Sequence, residues 1–300
     1  MHILISGASG LIGREVSSAL IAAGHSVSRL VRGGVRREGD VAWTPGVEFA
    51  PEALKDVDAV VNLAGRSVAG RWSERVKAEI RESRIPSTAA LARSIAASYR
   101  KHGKPTTFVS ASAIGYYGSR GDDILTEQSS SGHGFLPQVC QEWEAATAAA
   151  SEAGVRVVTP RIAVVLSQQG GALAKMLPIF RLGLGGRIAS GHQWFSWISL
   201  DDLVSVFVFA ITNQNVNGAI NAAAPVPVTN AEFTRTLAEV LHRPAIFPLP
   251  ASIARLMFTP QGAEEMLLSS QRVVPSKLEE LGFQFRDREL KPALTRILGD

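Results

Sequence analysis

The opening stretch of the chain limits its possible folds more than any other feature. Residues 2–6 form a short apolar run, and three glycines follow it within eight residues. Apolar side chains then recur at helical spacing as far as Ala23, and a second apolar run, rich in β-branched residues, covers residues 26–32. This order of strand, helix and strand predicts a βαβ unit at the start of the chain.

The glycines lie in the turn between the first strand and the helix. Gly7, Gly10 and Gly13 lack a Cβ, so the backbone can turn sharply, approach a pyrophosphate closely and pack the helix on the strand. The first N–H groups of the helix then point at the phosphates. An ordinary loop is the alternative. The position of the glycines between a strand and a helix, at the start of the chain, favours the cofactor-binding turn. We therefore expect the cofactor contacts to include Gly7, Ser9, Gly10, Leu11, Ile12 and Gly13.

The end of the second strand indicates which dinucleotide binds. NAD-binding folds commonly place an Asp or Glu about 20 residues past the glycines, where it binds the ribose 2′-OH. Residues 28–34 contain no acid here, and Arg32 follows Val31 at the end of the run. A guanidinium can bind a 2′-phosphate with two charge-assisted hydrogen bonds. The sequence therefore predicts NADP(H), with Val31 and Arg32 at the site and Arg29 as a second candidate; solvated surface arginines are the alternative.

Length and pattern predict an α/β fold with a Rossmann-type, doubly wound parallel sheet and a smaller C-terminal α/β substrate lobe. The chain has 300 residues, of which 46% are hydrophobic, enough for a large buried core. We expect residues 1–166 to form the NADP-binding domain, with residues 199–222 returning to it. Residues 167–198 and 223–300 would form the substrate lobe. Proline lacks a ladder donor, so the strand before Pro160 is expected to end or bulge there.

Composition excludes several classes of site. Cys140 is the single cysteine, so no intramolecular disulfide forms and no metal-ligand pattern is left. The net charge of +4 is spread along the chain without a basic block, and no apolar run approaches membrane-spanning length. A strand that begins at residue 2 leaves no room for a signal peptide. We expect no metal, no nucleic-acid partner, no membrane partner and a cytoplasmic location.

Two later strands end in segments suited to a cofactor and to chemistry. The buried run at residues 56–62 leads into Leu63, Ala64 and Gly65, whose small side chains would let the backbone lie against the adenosine and ribose. The strand at residues 107–111 leads into a loop rich in hydroxyls and glycine, which contains Ser112 and Tyr117. Loops at the carboxyl end of a parallel sheet commonly carry the chemistry of such folds.

These pieces together resemble the extended short-chain dehydrogenase/reductases, and specifically their sugar-nucleotide "epimerase family" with a C-terminal domain of unknown function. The resemblance covers nearly the whole chain and is carried by residues 7–13, 62–65, 71–72, 83–84, 110–118, 143–144, 170–171, 183–186, 191–198 and 282–285, together with Lys77. It implies that Leu63, Ala64, Glu79 and Arg84 approach the cofactor. It also implies that Val165 lies near the nicotinamide.

The chain departs from the pattern of relatives with known chemistry. Those proteins combine a Ser or Thr with Tyr-x-x-x-Lys, where the Tyr is the general acid/base and the Lys lowers its pKa. Ser112 fits the first role, but the family spacing puts Leu136 and Cys140 at the Tyr and Lys positions. Neither can replace them, since leucine has no exchangeable proton and a thiol is not a fixed cation. Tyr117 is a candidate substitute, with a core or substrate-wall tyrosine as the alternative.

The sequence favours an NADP(H)-binding, short-chain-dehydrogenase-like protein, either an epimerase or an oxidoreductase. Its substrate would be an unidentified small molecule, with a nucleotide sugar as one candidate, and the candidate catalytic residues are Ser112 and Tyr117. Trp194 and Trp197 are expected to shape the substrate pocket. The alternative is a catalytically silent nucleotide-binding sensor or interaction protein. The chain is expected to be a monomer or a homodimer.

Overall fold

A computed structural model describes residues 1–34 and 39–299 of the chain. Within these residues the strands are β1 (His2–Ser6), β2 (Ser26–Val31), β3 (Asp40–Ala42), β4 (Ala59–Asn62), β5 (Thr107–Ser110), β6 (Ser112–Ala113), β7 (Ile124–Leu125), β8 (Arg156–Ile162), β9 (Val164–Leu166), β10 (Trp194–Phe195), β11 (Trp197–Ser199), β12 (Gly218–Ala222), β13 (Val228–Thr229) and β14 (Arg272–Val273). The helices are α1 (Leu11–Ala22), α2 (Glu74–Glu82), α3 (Ile85–His102), α4 (Phe135–Ala145), α5 (Ala148–Glu152), α6 (Gly171–Arg181), α7 (Leu200–Thr212), α8 (Asn230–Leu241), α9 (Ala251–Phe258), α10 (Pro260–Met266), α11 (Ser276–Glu280) and α12 (Leu290–Leu298). Short 3₁₀ turns cover Pro51–Leu54 and Ile114–Tyr117.

The centre of the molecule is a parallel sheet with the strand order β3-β2-β1-β4-β5-β8-β12. Strand β6 extends the line of β5 and pairs with the end of β8. The strand order reverses between β1 and β4, and ligands of open α/β sheets bind outside the carboxyl ends of the strands at such a switch point.

Helices cover both faces of this sheet. On one face, α1 and α7 pack around Val16, Leu20 and Phe207, and on the other, α3 and α5 pack around Leu91 and Ile95. Strands buried on both faces are nearly continuous in apolar residues, which is the pattern that the sequence shows. The predicted α/β class with a doubly wound parallel sheet is confirmed.

A third core lies outside the main sheet. It is formed by α6, α8 and α12 around Leu177, Phe233 and Leu294. The short pairs β10–β13 and β9–β11 contribute Val228, Leu166 and Trp197 to this core, whereas the pair β7–β14 contributes Leu125 and Val273 to a core of the main sheet. Within the described parts of the chain, no helix is both long enough and apolar enough to span a membrane.

The prediction that the eighth strand ends or bulges at Pro160 is wrong. Strand β8 continues through Pro160 to Ile162. On one side it pairs with β12 from Val158 to Ile162, through Pro160. On the other side β5 pairs with residues 156–158 and β6 with Arg161 and Ile162, so Pro160 lies at the gap between the two partners. A residue without an N–H is tolerated there because the ladder is already interrupted.

Candidate functional site

The glycine turn of the first βαβ unit is closed too tightly for side chains. Gly7 has φ of 72°, and a Cβ on it would lie 2.6 Å from the carbonyl oxygen of Leu63. A Cβ on Gly13 would lie 2.3 Å from the carbonyl oxygen of Gly7. The turn thus brings β1, α1 and the residues after β4 into direct backbone contact. Among the described residues, no side chain caps the N-terminus of α1, and its first turn contains no acid.

The two arginines near the end of β2 have different surroundings. Arg29 is paired with Asp40 of β3, whose Oδ1 lies 2.8 Å from Nε and 2.6 Å from Nη2. Arg32 lies just beyond Val31 at the carboxyl end of the strand and is exposed. Of these two candidates for the 2′-phosphate, Arg29 already has a carboxylate partner. Arg32 is the candidate that the geometry favours.

The residues after β4 are held by a buried amide. Asn62 accepts a hydrogen bond from Ser6 Oγ over 2.6 Å and donates through Nδ2 to Thr88 Oγ1 over 2.8 Å. Its own side chain is fully buried. These bonds fix the path of Leu63, Ala64 and Gly65 at the carboxyl edge of the sheet, beside the turn at Gly7.

Arg84 lies against this same segment. Its Nη2 donates to the carbonyl of Arg66 over 2.7 Å, and its guanidinium lies 5.1 Å from the ring centroid of Trp143. A Cβ on Gly65 would lie 3.1 Å from Arg84 Cζ, so glycine leaves the space that the guanidinium fills. Burial lowers the pKa of Arg84, although an arginine remains charged at neutral pH. No salt bridge within the described residues engages it, so its charge is available to a ligand.

Glu79 lies on α2, five residues before Arg84, and is held by two cations. Its carboxylate lies 2.8 Å from Arg75 Nε and 3.2 Å from Arg66 Nε. The hydrogen bond from Arg75 is the main reason that the pKa of Glu79 is lowered. The carboxylate is therefore an acceptor at neutral pH, as a ribose hydroxyl would require.

Ser112 belongs to a buried polar network. Its Oγ donates to Glu144 Oε1 over 2.6 Å. Arg161 binds both oxygens of the same carboxylate, with Nε and Nη2 each at 2.9 Å. Burial disfavours the charged guanidinium, but its bonds to Glu144 raise the pKa of Arg161. The guanidinium also lies 3.5 Å from the centroid of the Tyr116 ring.

Tyr117 is an interior member of this network. Its side chain is fully buried, and its hydroxyl lies 2.7 Å from Asn221 Oδ1, 3.0 Å from the carbonyl of Thr126 and 3.0 Å from Arg161 Nη1. Burial raises the pKa of the phenol. The surroundings match the core alternative that the sequence left open.

Leu136 and Cys140 lie on α4 next to Gly115, which belongs to the 3₁₀ turn that follows β6. A Cβ on Gly115 would lie 3.4 Å from Leu136 Cβ and 3.8 Å from Cys140 Sγ. Burial, and then the charge of Glu144, raises the pKa of Cys140 to about 12. The thiol is therefore neutral at physiological pH.

The N-terminus of α4 is capped from a distant part of the chain. The backbone N–H groups of Phe135 and Leu136 donate to Glu265 Oε1 and Oε2 over 3.0 and 2.7 Å. Glu265 lies on α10, which also approaches Trp72 through Gly262. Helix α10 thus connects the C-terminal part of the chain to the helix that carries Cys140.

The remaining predicted residues are divided between cleft and core. Val165 lies in β9 and pairs with Ile198 of β11, where it is partly buried. Trp194 is partly exposed, with its indole N–H donating to Asp122 and Arg272 stacked on its ring. Trp197 is fully buried in the α6–α8–α12 core, so the expectation that it shapes a substrate pocket is wrong. The apolar face of α8, with Phe233 and Leu237, belongs to the same core as this ring, which the local sequence did not reveal.

Sequence reasoning missed three residues that hold the site together: Arg161, Asn221 and Glu265. Arg161 was detectable in part, because it is the only charge in the otherwise apolar run from Val157 to Leu166. Asn221 and Glu265 carry no local signal, since their partners are about a hundred residues away in the chain.

Comparison with known proteins gives two matches to family models. Residues 3–223 match the NAD dependent epimerase/dehydratase family. Residues 249–297 match a domain of unknown function, DUF1731. Both matches confirm the resemblance drawn from the sequence.

Several relatives match along almost the whole chain. An epimerase family protein of Mycobacterium bovis is 45% identical over 97% of this chain and 96% of its own length. The chloroplastic SDR39U1 homolog of Arabidopsis thaliana is 40% identical over 99% of this chain and 87% of its own length.

Solved structures show the same fold. The human epimerase family protein SDR39U1 (isoform 2), crystallised with NADPH, superposes with a TM-score of 0.88 at 34% identity, covering 99% of both chains. A nucleoside-diphosphate sugar epimerase from Corynebacterium glutamicum superposes with a TM-score of 0.82 at 39% identity, covering all of this chain and 58% of that one.

Proposed function

The chain belongs to the NAD dependent epimerase/dehydratase family, and on that premise we propose that it binds NADP(H) and acts on a small molecule as an epimerase or oxidoreductase. The observation that best supports binding of the cofactor is the turn at Gly7 and Gly13, where any Cβ would collide with the backbone. This close-packed turn before an uncapped helix N-terminus suits a pyrophosphate. A relative of this chain, human SDR39U1, was crystallised with NADPH.

Different residues of this chain would contact different parts of the cofactor. Gly7, Ser9, Gly10, Leu11, Ile12 and Gly13 would face the phosphates, and Val31 with Arg32 the 2′-phosphate. Leu63, Ala64 and Gly65 would lie along the adenosine and ribose, with Glu79 and Arg84 beside them. Val165 would lie near the nicotinamide. When bound, NADP(H) supplies hydride transfer, which leaves the protein to orient two carbons and to handle one proton.

Ser112 is the proposed contact for the reacting oxygen of the substrate. Because its single proton is donated to Glu144, Ser112 Oγ can accept a hydrogen bond from a substrate hydroxyl. The Arg161 guanidinium holds Glu144 in place. Tyr117 was the other catalytic candidate, but its hydroxyl is buried and already surrounded by three partners, so we propose that it positions Arg161.

A catalytically silent nucleotide-binding protein is the second candidate. Leu136 and the neutral Cys140 thiol favour it, because leucine has no proton to exchange in place of Tyr, and a neutral thiol supplies no positive charge in place of Lys. General acid/base help contributes about 10² to 10⁴ in rate. We therefore propose that common nucleotide sugars turn over near background, although related solved structures include a nucleoside-diphosphate sugar epimerase. The cytoplasm, and a monomer or homodimer, remain the proposed location and state.

Cofactor titrations test the binding half of the proposal. NADPH and NADH affinities would be measured for the wild type, Arg84→Ala and Arg81→Ala. Arg84 would contact parts of the cofactor that NADPH and NADH share. Its loss should therefore lower the affinity for both dinucleotides about equally. Arg81, which pairs with Glu142 on the surface, is the matched control and should change neither. A wild-type protein that binds neither dinucleotide would refute the proposal.

A panel of UDP- and GDP-hexoses tests the chemistry. Epimer ratio and nicotinamide absorbance would be followed together for the wild type and Ser112→Ala. Turnover that requires Ser112 supports an enzyme, and cofactor binding with no turnover of any member supports the silent alternative. Robust epimerisation that survives Ser112→Ala would show that another group handles the proton.

A further inference from the structure

Exposed large apolar side chains are concentrated in two short segments. Thirteen such side chains are exposed among the described residues, and eight of them lie in residues 179–184 and 246–257. Leu182 is 74% exposed and Ile246 is 72% exposed. Single exposed apolar residues are normal on a protein surface, whereas a contiguous group marks an interaction site.

The first segment and the start of the second lie side by side. The backbone N–H of Phe247 donates to the carbonyl of Gly185 over 3.1 Å. At the near end, Arg243 Nε donates to the carbonyl of Arg181 over 3.1 Å. The paired runs therefore bring four exposed apolar residues close together, called here the apolar rim: Leu182, Leu184, Ile246 and Phe247.

The charged side chains on the two segments that form the apolar rim are all of one sign. Residues 153–200 and 240–263 contain no Asp or Glu. Arg181, Arg187 and Arg243 lie on the paired runs, and no salt bridge within the described residues engages them. Such a surface attracts anions.

An open groove of about 1230 Å³ adjoins the rim, with Ile246 in its wall. Four cations line it, namely Arg187, Arg235, Arg243 and Lys291, against two carboxylates, Glu232 and Glu239. Glu239 is already bound by Lys291 over 3.0 Å. The groove therefore has a cationic surplus next to protruding apolar side chains.

This combination selects one kind of occupant. A second copy would bring like charges together, which opposes self-association through this face. Single-stranded nucleic acid is bound by stacking on aromatic rings, but the rim has only Phe247. Aliphatic side chains that protrude, flanked by cations, match the way peripheral proteins insert into the boundary of an anionic bilayer.

We propose that this face docks on an anionic lipid surface, with the apolar rim inserted and the arginines on the head groups. The proposal goes beyond the redox function and does not depend on it. It departs from the expectation of no membrane partner, which considered only segments long enough to span a bilayer.

Sedimentation with vesicles tests the proposal. Vesicles of phosphatidylcholine alone would be compared with vesicles that also contain phosphatidylglycerol, at low and at physiological salt. The wild type should bind the anionic vesicles and lose affinity as salt rises. Leu182→Ser with Phe247→Ser should lower the affinity about tenfold or more, and Arg187→Gln or Arg243→Gln about fivefold each.

Matched variants outside the two segments and the groove serve as controls. Ile21→Ser and Ile124→Ser remove side chains that are 59% and 57% exposed, and Arg100→Gln removes an exposed cation. These should leave vesicle binding unchanged, and near-UV circular dichroism should show that every variant is folded. No binding of the wild type to anionic vesicles would overturn the proposal, as would equal losses in the controls. Rim-dependent self-association without vesicle binding would overturn it in favour of a second copy.

Discussion

Replacing Glu144 with alanine should destabilise the fold far more than the loss of an exposed carboxylate would. Arg161 is only 4% exposed, and two of its nitrogens lie 2.9 Å from the two Glu144 oxygens. Without that carboxylate, the hydroxyl of Tyr117 is its remaining hydrogen-bond partner among the described residues. Leaving a buried charge unpaired in this way costs about 3 to 5 kcal/mol.

The assay is urea unfolding followed by tryptophan fluorescence and far-UV circular dichroism. Ser112→Ala is the matched control, since it removes one hydrogen bond to Glu144 and should cost about 1 kcal/mol. The double variant Glu144→Ala with Arg161→Met should be more stable than Glu144→Ala alone, because no charge is left unpaired.

Two results would refute this reasoning. One is a loss below about 1 kcal/mol for Glu144→Ala, the size expected of a solvated surface pair. The other is a double variant that is no more stable than Glu144→Ala, since the penalty would then not arise from the stranded guanidinium.

Three further outcomes are expected. Arg32→Ala should weaken NADPH binding about tenfold or more and leave NADH binding unchanged, because it removes a charge-assisted contact with the 2′-phosphate; Arg29→Ala should have the smaller effect, and equal wild-type affinities for the two cofactors would remove the basis of the assignment. Cys140 should resist alkylation by iodoacetamide at pH 8 in the folded protein, because its pKa of about 12 leaves almost no thiolate, and Cys140→Ser should keep its NADPH affinity; rapid labelling under native conditions would contradict this. Asp287→Asn should destabilise the protein at pH 7, because hydrogen bonds and the charge of Arg296 outweigh burial and lower the pKa of Asp287. The stability that this carboxylate contributes is present above its unfolded pKa of about 4 and is lost as pH falls through the folded pKa. Urea unfolding should therefore show that the difference in unfolding free energy between variant and wild type shrinks in acid.

The first βαβ unit could be predicted because its signals are local. Apolar runs of strand length, helical spacing and glycines at a turn all lie within 32 residues, and the structure gives the elements β1, α1 and β2 at those places. Such patterns reflect backbone geometry and burial, which neighbouring residues determine together.

Pro160 and Trp197 show where local signals fail. Proline does disfavour a central ladder, but whether β8 continues depends on the break between β5 and β6, which is about fifty residues away in the chain. An aromatic residue in a glycine-rich segment looks available to a ligand. Whether Trp197 is exposed depends on the packing of α8 and α12, which the sequence around it does not encode.

The candidate site was predictable in its backbone but not in its polar contacts. Glycine spacing located the tight turn between β1 and α1, whereas the bond between Ser112 and Glu144 spans 32 residues and the contact of Arg161 with Glu144 needs β8 beside β6. A carboxylate can have many partners in a chain of this length. Only the fold selects among them.

The carboxylate of Glu265, which binds the first turn of α4, determines whether the two parts of the chain can fold separately. The two regions that match separate family models, residues 3–223 and 249–297, share hydrogen bonds, because Gln271 also donates to the carbonyls of Ile114 and Gly118. A chain cut after residue 248 would leave the α4 N–H groups and the loop after β6 without these partners. The region of residues 3–223 should therefore not fold as an independent domain. The two regions should unfold in a single cooperative transition. A chain that inherited one region without the other would need new caps for α4.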